Sequence, residues 1–124
     1  MRAEKIERRN NRRVFFLKNN DLNAQLKPLS WVDSHFQARV KDISLAGIGF
    51  VLERTQPVIV SLGDRFLITS IQEANAVHFL TRTTLEVEWV VDTDMLDHIG
   101  FGCSFLNLDS VTQATLDEYI IAST

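Results

Sequence analysis

Residues 36–52 read FQARVKDISLAGIGFVL, and the alternation in this stretch predicts how the chain folds. Residues 36–40 place apolar side chains on one face and polar ones on the other, and residues 48–52, after Gly47, place Ile48, Phe50 and Leu52 on one face. Successive side chains of a β-strand point to opposite faces, so this alternation is typical of a strand with one buried face. Two such strands around a turn favour antiparallel pairing.

The apolar alternation changes phase inside this stretch. The apolar positions are even-numbered through Val40 and odd-numbered from Ile43, which predicts a bulge that turns Asp42 and Ser44 outward. A carboxylate beside a hydroxyl offers good acceptors for the N1–H and N2–H₂ edge of guanine. Gly47 then supplies either a turn with positive φ or close approach of a ligand. The alternative is that Asp42 and Ser44 only form a hydrogen-bonded turn before Gly47.

Similar patterns recur along the rest of the chain. Further strand-like segments are predicted at residues 14–17, 22–26, 64–71, 79–91 and 99–105. In the fourth of these, the alternation places Trp89 on the inward, apolar face. Ser110 and Gln113 read as a capping box that starts a helix over about residues 110–122. Many short strands followed by one helix predict an all-β-dominated domain, a small closed or partly closed antiparallel barrel with a C-terminal α-helix.

Length and composition exclude several classes of protein. The chain has 124 residues, 45% of them hydrophobic, which suits one domain with a substantial core. It contains no apolar run long enough to span a bilayer, and its first residues lack the apolar stretch of a secretory signal. We therefore expect a cytoplasmic protein with no membrane partner.

The residues that usually carry chemistry form no catalytic or metal-binding pattern. Cys103 is the one cysteine, and its place on the apolar face of a predicted strand indicates an inert buried thiol. The three histidines and the acidic loop at residues 92–97 lack the spacing of metal ligands. We expect no enzymatic activity, no catalytic or metal site and no cofactor.

Charge divides the chain into a basic arm and an acidic body. Residues 1–13 carry a net charge of +4 and residues 14–124 carry −7. We expect a flexible arm over 1–13 followed by a single barrel domain over 14–124. The arm is either a solvated tail that pairs weakly with its own acidic body, or an anion-binding segment in which Arg9 and Arg13 converge on one anion. The acidic body argues against a nucleic-acid polymer as partner.

Two motifs, taken together, resemble a known family. RRNNRRV at residues 8–14, followed by DISLAGIGF at residues 42–50, is similar to the RxxxR and [D/N]xSxxG motifs of the PilZ domain. The matching residues are Arg9 and Arg13 in the first motif and Asp42, Ser44 and Gly47 in the second. LEVEWVVD and HIGFGCSFLNLD also look like later segments of this family, so the resemblance covers nearly the whole chain.

The resemblance implies a fold and a function. It implies a six-stranded antiparallel β-barrel of the split-barrel type and a receptor for the bacterial second messenger cyclic di-GMP (c-di-GMP). The matched arginines would bind phosphate and guanine, and the matched aspartate, serine and glycine a second guanine region. Arg8 resembles an extra arginine of relatives that hold a stacked pair of ligands, and Trp89 matches a tryptophan near the ligand in some members.

The resemblance further implies that ligand binding changes the conformation of the domain and signals to an unknown protein partner. Motility, biofilm formation or virulence would be the process under control, and a monomer or weak dimer is expected. The alternative is an adaptor barrel of a pilus or flagellar system that binds no nucleotide. A weak binder of single-stranded nucleic acid is a third possibility that the acidic body disfavours.

Overall fold

Short antiparallel strands make up most of the chain. The computed structural model describes residues 12–16, 22–30, 34–72, 75–92 and 97–124. The elements are β1 (Arg13–Phe15), β2 (Asn23–Pro28), β3 (Phe36–Ser44), β4 (Gly47–Glu53), β5 (Arg65–Gln72), a 3₁₀ helix (Asn75–Leu80), β6 (Thr84–Val91), β7 (His98–Leu106) and α1 (Ser110–Ser123).

Six of the strands close into a barrel. They follow one another around the ring in the order β2, β3, β4, β7, β6 and β5, and β5 pairs again with β2. Every pairing is antiparallel, so the predicted six-stranded barrel with a C-terminal helix is confirmed. β1 is an additional strand on β3: it lies opposite residues 42–44, whereas β2 lies opposite residues 36–39 of the same strand.

The inward side chains form one hydrophobic core. Phe50 and Phe101 stack with 5.2 Å between ring centroids, and Phe66 meets Phe101 edge-on at 6.1 Å. α1 adds Leu116 and Ile120, which are 0% and 1% exposed. Each fully buried side chain of this size contributes about 1.5–3 kcal/mol to folding relative to an exposed one. The core therefore holds the strands in one register and presents a fixed outer wall.

The prediction of a strand over residues 79–91 is wrong for residues 79–83. The chain there completes the 3₁₀ helix, whose Val77 and Leu80 are both 0% exposed. A 3₁₀ helix has three residues per turn, so these two side chains share one face and mimic the apolar content of a strand. Arg82 then takes a positive φ of 74°, which turns the chain before β6 begins at Thr84.

The start of α1 also differs from the prediction. The N-cap is Asp109, whose carboxylate accepts a hydrogen bond from the backbone N–H of Thr112 at 2.7 Å. The predicted capping box of Ser110 and Gln113 is therefore wrong, because the helix begins one residue earlier than that box requires and Ser110 already lies inside it. The hydrogen bonds from Thr112 lower the pKa of Asp109 below its usual value. No helix in the described part of the chain combines the length and apolar character needed to cross a membrane.

Candidate functional site

A bulge in β3 orients the first candidate residues. The pairing of β3 with β4 shifts register between Val40 and Asp42, as the phase change in the sequence predicts. Beyond the shift, Ile43 is 0% exposed in the core, and Asp42 points to the outer side of the barrel wall. Asp42 is nevertheless only 4% exposed, because β1 pairs with this part of β3 and Arg13 lies against it.

An ion pair joins two distant segments of the sequence. Arg13 Nη1 donates to Asp42 Oδ1 at 2.9 Å, and the two residues are 29 positions apart. The Asp42 side chain is 6% exposed and the Arg13 side chain 44% exposed, so the arginine covers the carboxylate and keeps a face toward solvent. Gly49 lies opposite Asp42 in β4, and a Cβ there would approach Asp42 Oδ1 to 3.0 Å. The glycine therefore leaves room for the carboxylate beside the sheet.

Ser44 and Gly47 shape the turn between β3 and β4. Ser44 Oγ accepts hydrogen bonds from the N–H groups of Ala46 and Gly47, both at 3.3 Å, and donates to the Gly47 carbonyl at 3.4 Å. The hydroxyl thus forms the hydrogen-bonded turn that the sequence left as an alternative. The positive φ considered for Gly47 is wrong: among the described glycines, only Gly63 has one. Gly47 is required for close approach instead, because a Cβ there would overlap the carbonyl of Cys103 in β7.

A second bulge turns Trp89 outward, opposite to the predicted orientation. The pairing of β6 with β7 shifts register between Val87 and Trp89, so the alternation starts again one residue later. Val87 is 2% exposed, whereas Trp89 is 38% exposed on the outer face, and Val90 packs against the core. The predicted inward orientation of Trp89 is therefore wrong. The indole lies directly on the backbone of Gly102, where a Cβ would overlap its ring.

The same bulge exposes a carboxylate that the sequence analysis did not select. Glu88 is the extra residue of the bulge, and it is exposed on the wall beside Trp89. Its Oε1 accepts a hydrogen bond from Ser104 Oγ of β7 at 2.9 Å. The sequence signal was weak, because Trp89 and Val91 are both apolar and hide the phase change from a hydrophobicity pattern.

These side chains border one open cavity of about 180 Å³. Its lining includes Arg13, Ser44, Gly47, Glu88 and Trp89, so four of the seven predicted site residues meet there. A fifth, the aspartate of the ion pair, lies against the guanidinium. The other two, the arginines at positions 8 and 9, lie outside the described residues. A cation, a carboxylate and a half-exposed indole around one cavity suit a ligand that combines an anionic group with a planar base.

A family model for the PilZ domain matches residues 7–122. The chain belongs to the PilZ domain family. The match spans both motifs, every strand described above and all but the last residue of α1. A comparison with curated protein sequences finds no match.

Solved structures show the same PilZ fold. One is the PilZ domain with c-di-GMP of YcgR from Escherichia coli, with a TM-score of 0.62 and 17% identity over 90% of this chain and 87% of that one. The MrkH–c-di-GMP complex of K. pneumonia has a TM-score of 0.61 and 13% identity over 88% of this chain and 49% of that one. PlzA of Borreliella burgdorferi in complex with c-di-GMP has a TM-score of 0.53 and 9% identity over 98% of this chain and 57% of that one. The PilZ domain thus spans about half the length of MrkH and PlzA.

The cysteine of this PilZ domain lies in the cavity wall as a protonated thiol. Cys103 is 5% exposed, and burial, followed by the charge of Glu88, raises its pKa to about 12. A thiol reacts as the thiolate, so Cys103 is a poor nucleophile at neutral pH. Within the described ranges, no group of three or more His, Cys, Asp or Glu residues could hold a metal ion.

Proposed function

We propose that this PilZ domain is a receptor for c-di-GMP that acts by binding and not by catalysis. The observation that carries the proposal is the contact of Arg13 with Asp42 at the edge of the cavity, because it brings residues of the two motifs to one place. The presence of c-di-GMP in the YcgR, MrkH and PlzA structures supports the choice of ligand.

Arg13 is the proposed phosphate ligand. A guanidinium has five N–H donors in a planar fork, and the contact with Asp42 uses one of them. The Arg13 side chain is 44% exposed and borders the cavity, so the remaining donors can form a bidentate contact with a phosphate. Asp42 fixes the orientation of the fork before the ligand arrives. When phosphate draws the guanidinium away, the carboxylate can accept a hydrogen bond from one guanine.

Trp89 is the proposed stacking platform for a base. One face of its indole rests on Gly102, and the side chain remains 38% exposed on the cavity side. A base stacked on an aromatic side chain contributes about 1–3 kcal/mol. Ser44 and Gly47 form the neighbouring wall, where the turn brings backbone groups close to the ligand.

The basic segment at residues 1–13 is proposed to complete the site. The cavity of about 180 Å³ is smaller than the roughly 300–1,000 Å³ of a typical small-molecule site, so a dinucleotide needs further contacts. Arg9 would supply a second contact to phosphate and guanine, and Arg8 an additional one if two ligand molecules stack. The net charge of +4 over these residues complements the two phosphates.

Signalling would follow from the new surface that the ligand and the basic segment create. We propose a protein partner that recognises this surface, in the cytoplasm, with control of motility, biofilm formation or virulence as the outcome. The domain would act as a monomer or weak dimer. These finer points extend the proposal beyond ligand binding, and each depends on it.

Isothermal titration calorimetry with c-di-GMP tests the proposal. We expect binding near the micromolar range, which corresponds to about −8 kcal/mol, with a fitted stoichiometry of one or two ligands. Arg13→Ala should abolish the heat of binding. Arg65→Ala is the matched control, because Arg65 also pairs with a carboxylate, Glu86 at 3.1 Å, but lies outside the cavity.

Two results would contradict the proposal. A wild-type protein that produces no heat at high micromolar ligand would favour the adaptor barrel, which binds a protein without nucleotide. Equal losses of affinity in Arg13→Ala and Arg65→Ala would mean that the ligand responds to the net charge of the protein and not to a specific contact in the cavity.

A further inference from the structure

We propose that Glu88 reads the hydrogen-bonding edge of the guanine that stacks on Trp89, and so selects guanine over adenine. This inference rests on the proposed function, because it assigns the base specificity of the same cavity. Neither motif of the family contains Glu88, so the assignment is carried by the geometry of β6 and β7.

The bulge in β6 places the carboxylate beside the stacking platform. In a regular strand, residues 88 and 89 would point to opposite faces. Here the register shift makes Glu88 the extra residue, and both Glu88 and Trp89 are exposed on the outer wall and line the cavity. Bulges commonly re-aim side chains beside functional sites. A base lying on the indole would therefore have its edge near the carboxylate.

A hydrogen bond holds the carboxylate in this position. Ser104 Oγ donates to Glu88 Oε1 at 2.9 Å across the β6–β7 pairing. The contact fixes the side chain and leaves Oε2 as well as further acceptor capacity on Oε1. The charge of Glu88 also contributes to the raised pKa of Cys103, which agrees with a carboxylate turned toward the cavity wall. Ser104 is thus a positioning residue for Glu88.

The acceptor side chains of the second motif, Asp42 and Ser44, are buried and hydrogen-bonded within the protein. The Asp42 side chain is 6% exposed and paired with Arg13. The hydroxyl of Ser44 takes part in the turn with Ala46 and Gly47, and Ser44 is 2% exposed. Among the described residues that line the cavity, Glu88 is the one carboxylate, and it is exposed. A cyclic dinucleotide has two bases. Asp42 is assigned to one guanine, so the second base needs an acceptor of its own, and Glu88 is placed to provide it.

The chemistry of a carboxylate favours guanine. An ionised carboxylate only accepts hydrogen bonds. Guanine presents two adjacent donors, N1–H and N2–H₂, which match its two oxygens. Adenine presents the N6–H₂ donor beside N1, which is an acceptor, so the lone pair of N1 would face a negatively charged carboxylate oxygen. The same charge repels phosphate, which means that Glu88 improves discrimination at some cost in total attraction.

Calorimetry with Glu88→Gln tests the inference. The amide keeps the shape but offers a donor where guanine also has one, so we expect affinity for c-di-GMP to fall about tenfold, equivalent to about 1.4 kcal/mol. Affinity for cyclic di-AMP should be unchanged or rise, so the ratio of the two affinities falls. Glu86→Gln is the matched control: it makes the same charge change two residues earlier, on a side chain that pairs with Arg65 outside the cavity.

A double-mutant cycle tests the role of Ser104. Ser104→Ala should weaken c-di-GMP binding in the wild-type background and have no further effect in the Glu88→Gln background, because its contribution passes through the carboxylate. A purely structural role would lower the affinity equally in both backgrounds, and that result would overturn the positioning role.

The outcomes separate this inference from the function on which it rests. Wild-type protein that binds no c-di-GMP refutes the proposed function and this inference with it. Wild-type protein that binds, together with Glu88→Gln that binds c-di-GMP as tightly or more tightly, refutes the inference alone and shows that Glu88 only repels phosphate. Equal losses in Glu88→Gln and Glu86→Gln also refute the inference alone.

Discussion

Replacing Arg13 with alanine should lower the stability of the protein as well as its affinity for ligand. The substitution removes the cation that lies 2.9 Å from Asp42 Oδ1 and leaves a carboxylate whose side chain is 6% exposed. A charge left without a partner in a poorly hydrated place is costly to the folded state. The ion pair therefore contributes to the fold independently of any ligand.

The exposure of the two partners determines the magnitude. Breaking a fully buried ion pair costs about 3–5 kcal/mol, whereas a surface pair contributes about 0–1 kcal/mol. Asp42 is buried but Arg13 is 44% exposed, so water can reach the carboxylate once the arginine is gone. We expect a loss of about 1.5 kcal/mol for Arg13→Ala. For a domain of this size, such a loss lowers the Tm by about 6 °C.

Thermal and urea denaturation of Arg13→Ala and two further variants measures this effect. Arg65→Ala breaks a pair of similar length, 3.1 Å, in which both side chains keep solvent contact at 58% and 29% exposure, so we expect a loss of at most about 0.5 kcal/mol. The double variant Arg13→Ala with Asp42→Asn removes the unpaired charge while keeping its shape. It should recover about 1 kcal/mol relative to Arg13→Ala alone.

Equal stabilities of Arg13→Ala and Arg65→Ala would show that burial of Asp42 adds nothing to the cost of losing its partner. If Asp42→Asn gave no recovery in the Arg13→Ala background, the cost would come from lost packing and not from the unpaired charge. An Arg13→Ala protein with a lower Tm and intact c-di-GMP affinity would leave the stability argument standing but remove Arg13 from the ligand site.

Three further predictions follow from individual contacts. Gly102→Ala should displace the Trp89 indole, seen as a change in tryptophan fluorescence with weaker c-di-GMP binding; unchanged emission and affinity would contradict the contact. Burial raises the pKa of Cys103 from 9.0 to about 12, so the folded state binds the thiol proton more tightly than the unfolded state does. The contribution of this group to the free energy of unfolding should therefore decline above pH 9. Urea titrations at pH 8 to 10.5 should show a smaller decline for Cys103→Ala than for wild type. Asp109→Ala should lower the Tm at neutral pH, because it removes the N-cap hydrogen bond from Thr112. The pKa of the Asp109 carboxyl is lowered, so the carboxyl stabilises the fold only while it is ionised, and the difference in Tm from wild type should shrink as the pH falls through its pKa range. A difference in Tm that stays constant with pH would argue against the N-cap bond.

Local patterns in the sequence were enough to predict the barrel. Alternation with period two reports which face of a strand is buried, and it identified β3, β4 and β7 because large apolar residues recur at every second position. The bulge in β3 was predictable for the same reason. The apolar pattern is clean on both sides of it, so the change of phase between Val40 and Ile43 is visible.

The bulge in β6 could not be predicted in this way. Trp89 and Val91 are apolar although they are 38% and 48% exposed. The apolar alternation in the sequence therefore continues through the bulge, while the odd-numbered side chains change from the inner to the outer face of the barrel. Hydrophobicity reports burial only when the outward residues are polar, and here they are not. The inward orientation expected for Trp89, and the omission of Glu88, have this one cause.

The sequence by itself determined the residue types of the site: arginines in one segment, and an aspartate and a serine in another. Tertiary structure decided which of them are available. Arg13 meets Asp42 across 29 positions only because β1 pairs with the end of β3, and that contact covers the aspartate. Burial and pairing are properties of the closed barrel, set by contacts between strands distant in the chain, so no local pattern encodes that Asp42 lies covered while Glu88 faces the cavity.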